Sequence, residues 1–280
     1  MGWFFDRFEA FEERRLERRA WSLRYLVGGE GPPLVLVHGW GGAAWNFADL
    51  APLLVARHRL LIPDLPGHGG SAALPAAATL AAYADAVAAV CEAEDPGPVD
   101  VFGHSLGGAV ALRLAVRRPG LVRRLVLAAA AGTSSSTRAA ELFLTFFGVV
   151  QPGRLVARRT GAVARSRLLR RAVFTFFSVS DPWSLTAPGI DGFLRGTALH
   201  TDLLSAAAAL VREDPRPDLH RVTCPVLCLW GARDRQVPAE DAFEYARRLR
   251  APLRVIADCG HLLIGERPDA CADAVEAFLG

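Results

Sequence analysis

Lysine is absent: all 32 basic side chains of this 280-residue chain are arginine. Together with alanine runs such as Ala76–Ala78 and Ala206–Ala209, this marks a bias of composition and assigns no function. Cysteine is scarce and odd in number, five scattered residues, which does not support a disulfide framework. The one close pair, Cys224 and Cys228, sits in a strand-like run that would hold the two residues ~13 Å apart, so neither a bridge nor a zinc knuckle is expected. Charged residues make up only 22% of the chain against 51% hydrophobic, which excludes disorder and allows a large core. No apolar run approaches the ~20 residues of a membrane span without a charge or a breaker. Asp6, Arg7 and Glu9 stand where a secretory leader would be apolar. A reduced, cytoplasmic protein without a transmembrane segment is expected.

What is present alternates. Short apolar runs at Leu34–Val37, Leu60–Ile62, Val99–Phe102, Leu125–Ala128, Val226–Trp230 and Leu253–Ile256 suit the doubly buried strands of a parallel sheet. Helical patterns fill 79–93, 105–118, 239–250 and 268–279, the alternation of βαβ units. It stops between Gly132 and about Pro217, where amphipathic helical segments follow the polar run Thr133–Thr137. Upstream, Phe4, Phe8 and Phe11 recur at helical spacing among balanced charges, which predicts an amphipathic helix. The expected division is therefore an N-terminal helix (1–19), an α/β body (20–132 and 218–280) and an inserted helical cap (133–217).

The sharpest chemical signal is Gly103-His104-Ser105-Leu106-Gly107-Gly108, directly after a strand pattern and directly before a helix. A serine on such a tight turn is held in a strained conformation that exposes its hydroxyl, and the flanking glycines leave room for the turn. Ser105 is the candidate nucleophile. A hydroxyl needs a base and the base an orienting acid. His261 follows the last strand pattern and Asp234 the one before it, both at the sheet edge that carries Ser105. Asp258 lies nearer to His261 in sequence, but three residues within one loop rarely let a carboxylate reach the far imidazole nitrogen. His38-Gly39-Trp40-Gly41-Gly42, after the first parallel strand pattern, offers backbone donors for an oxyanion. The N–H groups of Trp40 and Leu106 are the candidates, with His38 bracing the loop.

Together with Asp64-Leu65-Pro66-Gly67-His68-Gly69-Gly70-Ser71, Gly231-Ala232-Arg233-Asp234 and Gly260-His261, these segments resemble the α/β-hydrolase family. The resemblance implies a mostly parallel, doubly wound sheet with an inserted cap, and the chain order Ser, Asp, His for nucleophile, acid and base. It implies no metal and no organic cofactor, and a structural role for Asp64–Ser71. The elbow carries Ser105 where haloalkane dehalogenases and epoxide hydrolases of this type have Asp. The His-Gly-Trp-Gly loop is similar to that of carrier-protein methyl esterases, which typically have Trp where this chain has His104.

The cap holds many of the phenylalanines. Phe143, Phe147, Phe177 and Trp183 are the candidates for an apolar acyl pocket, although most cap aromatics are expected to glue the cap helices to the body. From 133 to 171, eight arginines stand against Glu141 alone, a charge that could steer an anionic carrier such as acyl carrier protein, coenzyme A or a lipid headgroup. No nucleic-acid motif accompanies it. The expected activity is hydrolysis of carboxylic esters or thioesters with an apolar acyl group. A carbon–carbon bond hydrolase on the same triad and a non-catalytic binding protein stay open. Cys259, two residues from His261, suggests activity sensitive to thiol oxidation.

Overall fold

A computed structural model describes residues 7–19, 21–94, 97–133, 146, 149–150, 153–196, 199 and 202–280. Eight strands form one sheet: β1 (Phe11–Arg18), β2 (Trp21–Gly28), β3 (Pro33–Val37), β4 (Arg59–Pro63), β5 (Val99–His104), β6 (Val122–Ala128), β7 (Val226–Gly231) and β8 (Leu253–Ile256). Their order is β1-β2-β4-β3-β5-β6-β7-β8. The β1–β2 and β2–β4 pairs are antiparallel and the rest parallel. The expected strands and helices lie where the apolar runs place them, because strands such as β5 and β7 are buried at every residue and so need apolar side chains on both faces.

β3 pairs with β4 on one side and β5 on the other, so the direction of winding reverses there. A crevice opens outside the carboxyl ends of adjacent strands at such a point. The His38 loop leaves β3 and Ser105 leaves β5, so both enter that crevice.

The N-terminal segment corrects an expectation. Over Phe11–Arg18 it is a strand and not a helix, paired residue for residue from Phe11 opposite Gly28 to Arg18 opposite Trp21. Helical spacing of the aromatics loses to eight cross-strand pairs along an otherwise open sheet edge. Phe11 covers Gly28 opposite it, and the Glu13 carboxylate meets Arg24 at 2.9 Å. Phe4 lies outside the described residues.

Between 153 and 196 the chain is helical apart from short turns and an irregular stretch at 177–186, and it carries a small apolar cluster of its own, with Val163, Phe174, Ile190 and Leu194 against Leu262 of the body. The helix Leu203–Arg212 joins the main core instead, through Ala206, Ala207 and Leu210. Its small side chains allow that close approach. Among the described residues no helix is long and apolar enough to cross a membrane.

Asp64 ties this framework to the crevice. Fully buried, its carboxylate accepts from Ala44 N–H at 2.6 Å, Gly70 N–H at 2.8 Å and Arg24 Nη1 at 2.9 Å. Removing it leaves the buried Arg24 guanidinium with only the exposed Glu13 carboxylate and two backbone N–H groups without an acceptor, so Asp64→Ala is expected to lower unfolding free energy by about 3–5 kcal/mol. Urea denaturation measures this, and Asp64→Asn, which keeps an acceptor, should lose less.

Candidate active site

Ser105 sits between β5 and the helix Leu106–Arg117 with φ 54° and ψ −118°, a strained conformation for a residue with a side chain. Backbone hydrogen bonds on both sides of the residue hold it there. Its N–H donates to Ala128 O at 3.0 Å, and its carbonyl accepts from Gly108 N–H at 2.9 Å and Ala131 N–H at 3.0 Å. The helix packs so closely that a Cβ on Gly107 would stand 2.1 Å from Val37 O, which explains the glycine two residues after the serine.

The structure brings Ser105, His261 and Asp234 together. His261 Nε2 lies 3.1 Å from Ser105 Oγ, and Nδ1 lies 2.8 Å from Asp234 Oδ2. Asp234 Oδ1 is occupied by the N–H groups of Gln236 at 2.8 Å and Val237 at 3.0 Å, which fixes the carboxylate and leaves Oδ2 to the imidazole. Since a carboxylate only accepts, Nδ1 carries the proton and Nε2 turns its lone pair to the serine hydroxyl. His261 and Asp234 are both buried. Asp258 points elsewhere: it is exposed and pairs with Arg233 at 2.5 Å.

The loop after β3 closes over the elbow. A Cβ on Gly39 would lie 3.1 Å from Ser105 Cβ. His38 accepts from Leu65 N–H through Nε2 at 2.9 Å, so its Nδ1–H donates to Gly39 O at 2.8 Å, and the ring braces the loop. The Trp40 indole donates to Leu203 O at 3.0 Å. Among the described residues, the backbone N–H groups of Trp40 and Leu106 donate to no protein acceptor.

Three residues whose part the sequence does not signal, His104, Ser178 and Glu266, hold the backbone of His261 and Gly260 in place. His104 Nε2 donates to the His261 carbonyl at 2.9 Å. Burial, then the neighbouring His261, lowers its pKa to about 3, so it is a neutral strut. Ser178, two residues beyond the helix Arg167–Phe176 of the insert, accepts from His261 N–H through its carbonyl at 3.0 Å. Its Oγ accepts from Arg235 N–H at 2.7 Å. A Cβ on Gly260 would lie 1.8 Å from that Ser178 carbonyl. Glu266, buried, accepts from Gly260 N–H at 3.1 Å and from Ser180 N–H at 2.7 Å. Burial raises its pKa while those N–H groups oppose the rise. The local signal for Glu266 is an acid closing the apolar run Leu262–Gly265; His104 and Ser178 have none.

Of the pocket candidates, Phe143 and Phe147 lie outside the described residues. Phe177 packs edge-on to Phe193 at 5.2 Å within the insert's own cluster. Trp183 is exposed and carries the Arg167 guanidinium 4.9 Å above its ring. Cys259 is fully buried and burial raises its thiol pKa, so the exposed thiolate that oxidation requires is missing.

His104 makes stability depend on pH. An ordinary histidine protonates near 6.5 and this one near 3, so the folded state binds fewer protons in between and stability falls as pH drops from 6.5 towards 3. His104→Gln keeps a donor for the His261 carbonyl and removes the titration. Urea midpoints across that range should fall less steeply with acid in the variant than in the unaltered protein.

Comparison with known proteins places this geometry. The model of the alpha/beta hydrolase family matches residues 34–274. The chain is 34% identical over 262 residues to a pimeloyl-[acyl-carrier protein] methyl ester esterase of Aromatoleum aromaticum, covering 88% of this chain and 97% of that one. It is 31% identical to a dihydrolipoyllysine-residue acetyltransferase component of an acetoin cleaving system of Pseudomonas putida, covering 91% of this chain but only 65% of that longer one. A thermophilic esterase from Thermogutta terrifontis superposes with a TM-score of 0.71 at 26% identity, over 96% of this chain and 98% of that one. With the family pattern matched across both halves of the sheet and the intervening insert, the chain belongs to the α/β-hydrolase family.

Proposed function

We propose that this protein is a serine hydrolase that cleaves carboxylic esters or thioesters bearing an apolar acyl group. The observation that carries the reading is the hydrogen-bonded line Asp234–His261–Ser105, at 2.8 and 3.1 Å, ending at a strained serine beside two unused backbone donors. In this reading His261 Nε2 takes the Ser105 proton as Oγ attacks the acyl carbon, and the Trp40 and Leu106 N–H groups receive the oxyanion. His261 then protonates the leaving group, and water activated by the same nitrogen releases the acid from Ser105. Asp234 stays ionised throughout and stabilises the imidazolium.

The apolar acyl preference rests on the cluster of the helical insert, which reaches Leu262, the residue after His261. An acyl group entering above Ser105 would meet that surface, with the cap (133–217) as its cover. The carrier-protein ester named by the Aromatoleum relative, together with the eight arginines between 133 and 171, favours a substrate that carries an anionic portion remote from the scissile bond.

Hydrolysis of p-nitrophenyl esters from acetate to palmitate tests this. Activity should disappear in Ser105→Ala, and its optimum along the series should measure the depth of the apolar site. Absence of turnover on every ester and on acyl thioesters overturns the reading. Glu266→Ala, which frees the backbone beside His261, should lower kcat by up to about 100-fold through misplacement of the imidazole, with KM little changed. Glu266→Gln, which keeps one acceptor oxygen, should recover part of that loss.

A further inference from the structure

Away from Ser105, a cleft of about 430 Å³ opens to solvent along the seam between the helical insert and the loop that carries Asp234. Its walls hold Arg171 from the helix Arg167–Phe176, Ser180, Asp181 and Trp183 from the segment that follows, and Arg233 and Arg235 from either side of Asp234. The charges do not cancel. Arg233 is paired with Asp258 at 2.5 Å, and the Asp181 carboxylate, which accepts from Trp183 N–H at 3.0 Å, offsets one further charge, so the three lining arginines still exceed the two carboxylates. The guanidinium groups of Arg171 and Arg235 meet no acceptor among the described residues, and Arg167 adds a further cation over Trp183. Two exposed, unpaired guanidinium groups on opposite walls of a cleft of ligand size suit an anion with several acceptor oxygens.

We propose that this cleft binds a phosphate-bearing group, a phosphate ester or a pyrophosphate, between Arg171 of the insert and Arg235 of the Asp234 loop. The segment that forms its wall is the one that supports the site: Ser178 takes the His261 N–H and the Arg235 N–H, and Glu266 takes the Ser180 N–H. A ligand joining Arg171 to Arg235 therefore fastens the insert to both loops that carry the acid and the base. Binding stands on the cleft alone; the effect on turnover rests on the hydrolase reading above. The phosphate has two sources: the thiol portion of a substrate such as an acyl-coenzyme A, or a free phosphate ester acting as an effector.

Titration calorimetry with inorganic pyrophosphate at low ionic strength tests the site, with Trp183 fluorescence followed against a Trp183→Phe control. Saturable binding is expected in the unaltered protein and equally in Ser105→Ala, so a failure of the hydrolase reading leaves this result standing. Arg171→Ala and Arg235→Ala should each weaken it at least tenfold. No saturable binding, or binding indifferent to both variants, overturns the site. Hydrolysis then separates the sources. An effector raises kcat on an uncharged p-nitrophenyl ester when pyrophosphate is added. A substrate anchor gives acyl-coenzyme A a KM at least tenfold below that of the matching acyl-N-acetylcysteamine thioester, an advantage lost in Arg171→Ala. Binding with neither effect overturns the link to the triad.

Discussion

The turn at Ser105 is the constraint on which the rest depends. Its backbone is held in a conformation that costs of order 1–3 kcal/mol, and it persists because β6 and the following helix satisfy its N–H and carbonyl from both sides. Those bonds exist only if β5 and β6 are in register and the helix Leu106–Arg117 sits hard against the end of β3. The exposed hydroxyl is thus a product of sheet assembly. It also explains why two glycine-lined loops, after β3 and after β5, lie together at the point where the winding of the sheet reverses.

Around that serine, the other groups are placed by restricting what each can bond. Asp234 has one oxygen spent on backbone N–H groups and one free for the imidazole. His261 has its carbonyl held by His104 and its N–H by Ser178, which fixes its backbone, while Asp234 Oδ2 and Ser105 Oγ set the orientation of the ring. Buried polar groups that are fully engaged in this way define a single geometry. The neutrality of His104, imposed by burial, keeps a second positive charge away from the imidazolium that catalysis would form.

The helical insert is bonded into the sheet edge that carries the site. Its own apolar cluster is small and includes Leu262 of the body, and its chain between Ser178 and Asp181 is bonded to both functional loops of the sheet edge. Movement of the insert is therefore mechanically connected to the position of His261.

The sequence by itself determined the sheet from β3 to β8 and the identities of Ser105, Asp234 and His261 as candidates. Strands buried on both faces must be apolar throughout, and a glycine-flanked serine between strand and helix has few other uses. Residues 11–18 were illegible by the same logic: an edge strand carries charge on both sides, and its pairing with β2, a contact between segments, overrides the spacing of its aromatics. Glu266, His104 and Ser178 escape notice because their roles are hydrogen bonds to the backbone of other segments, which no local pattern records. Trp183 illustrates the same limit, since its residue type suggests an apolar acyl site, whereas the fold sets it beside Arg167 in the wall of a solvent-open, arginine-lined cleft. Tertiary structure alone decided which buried polar groups hold the imidazole and which arginines are left without partners, because both are properties of distances between residues far apart in the chain.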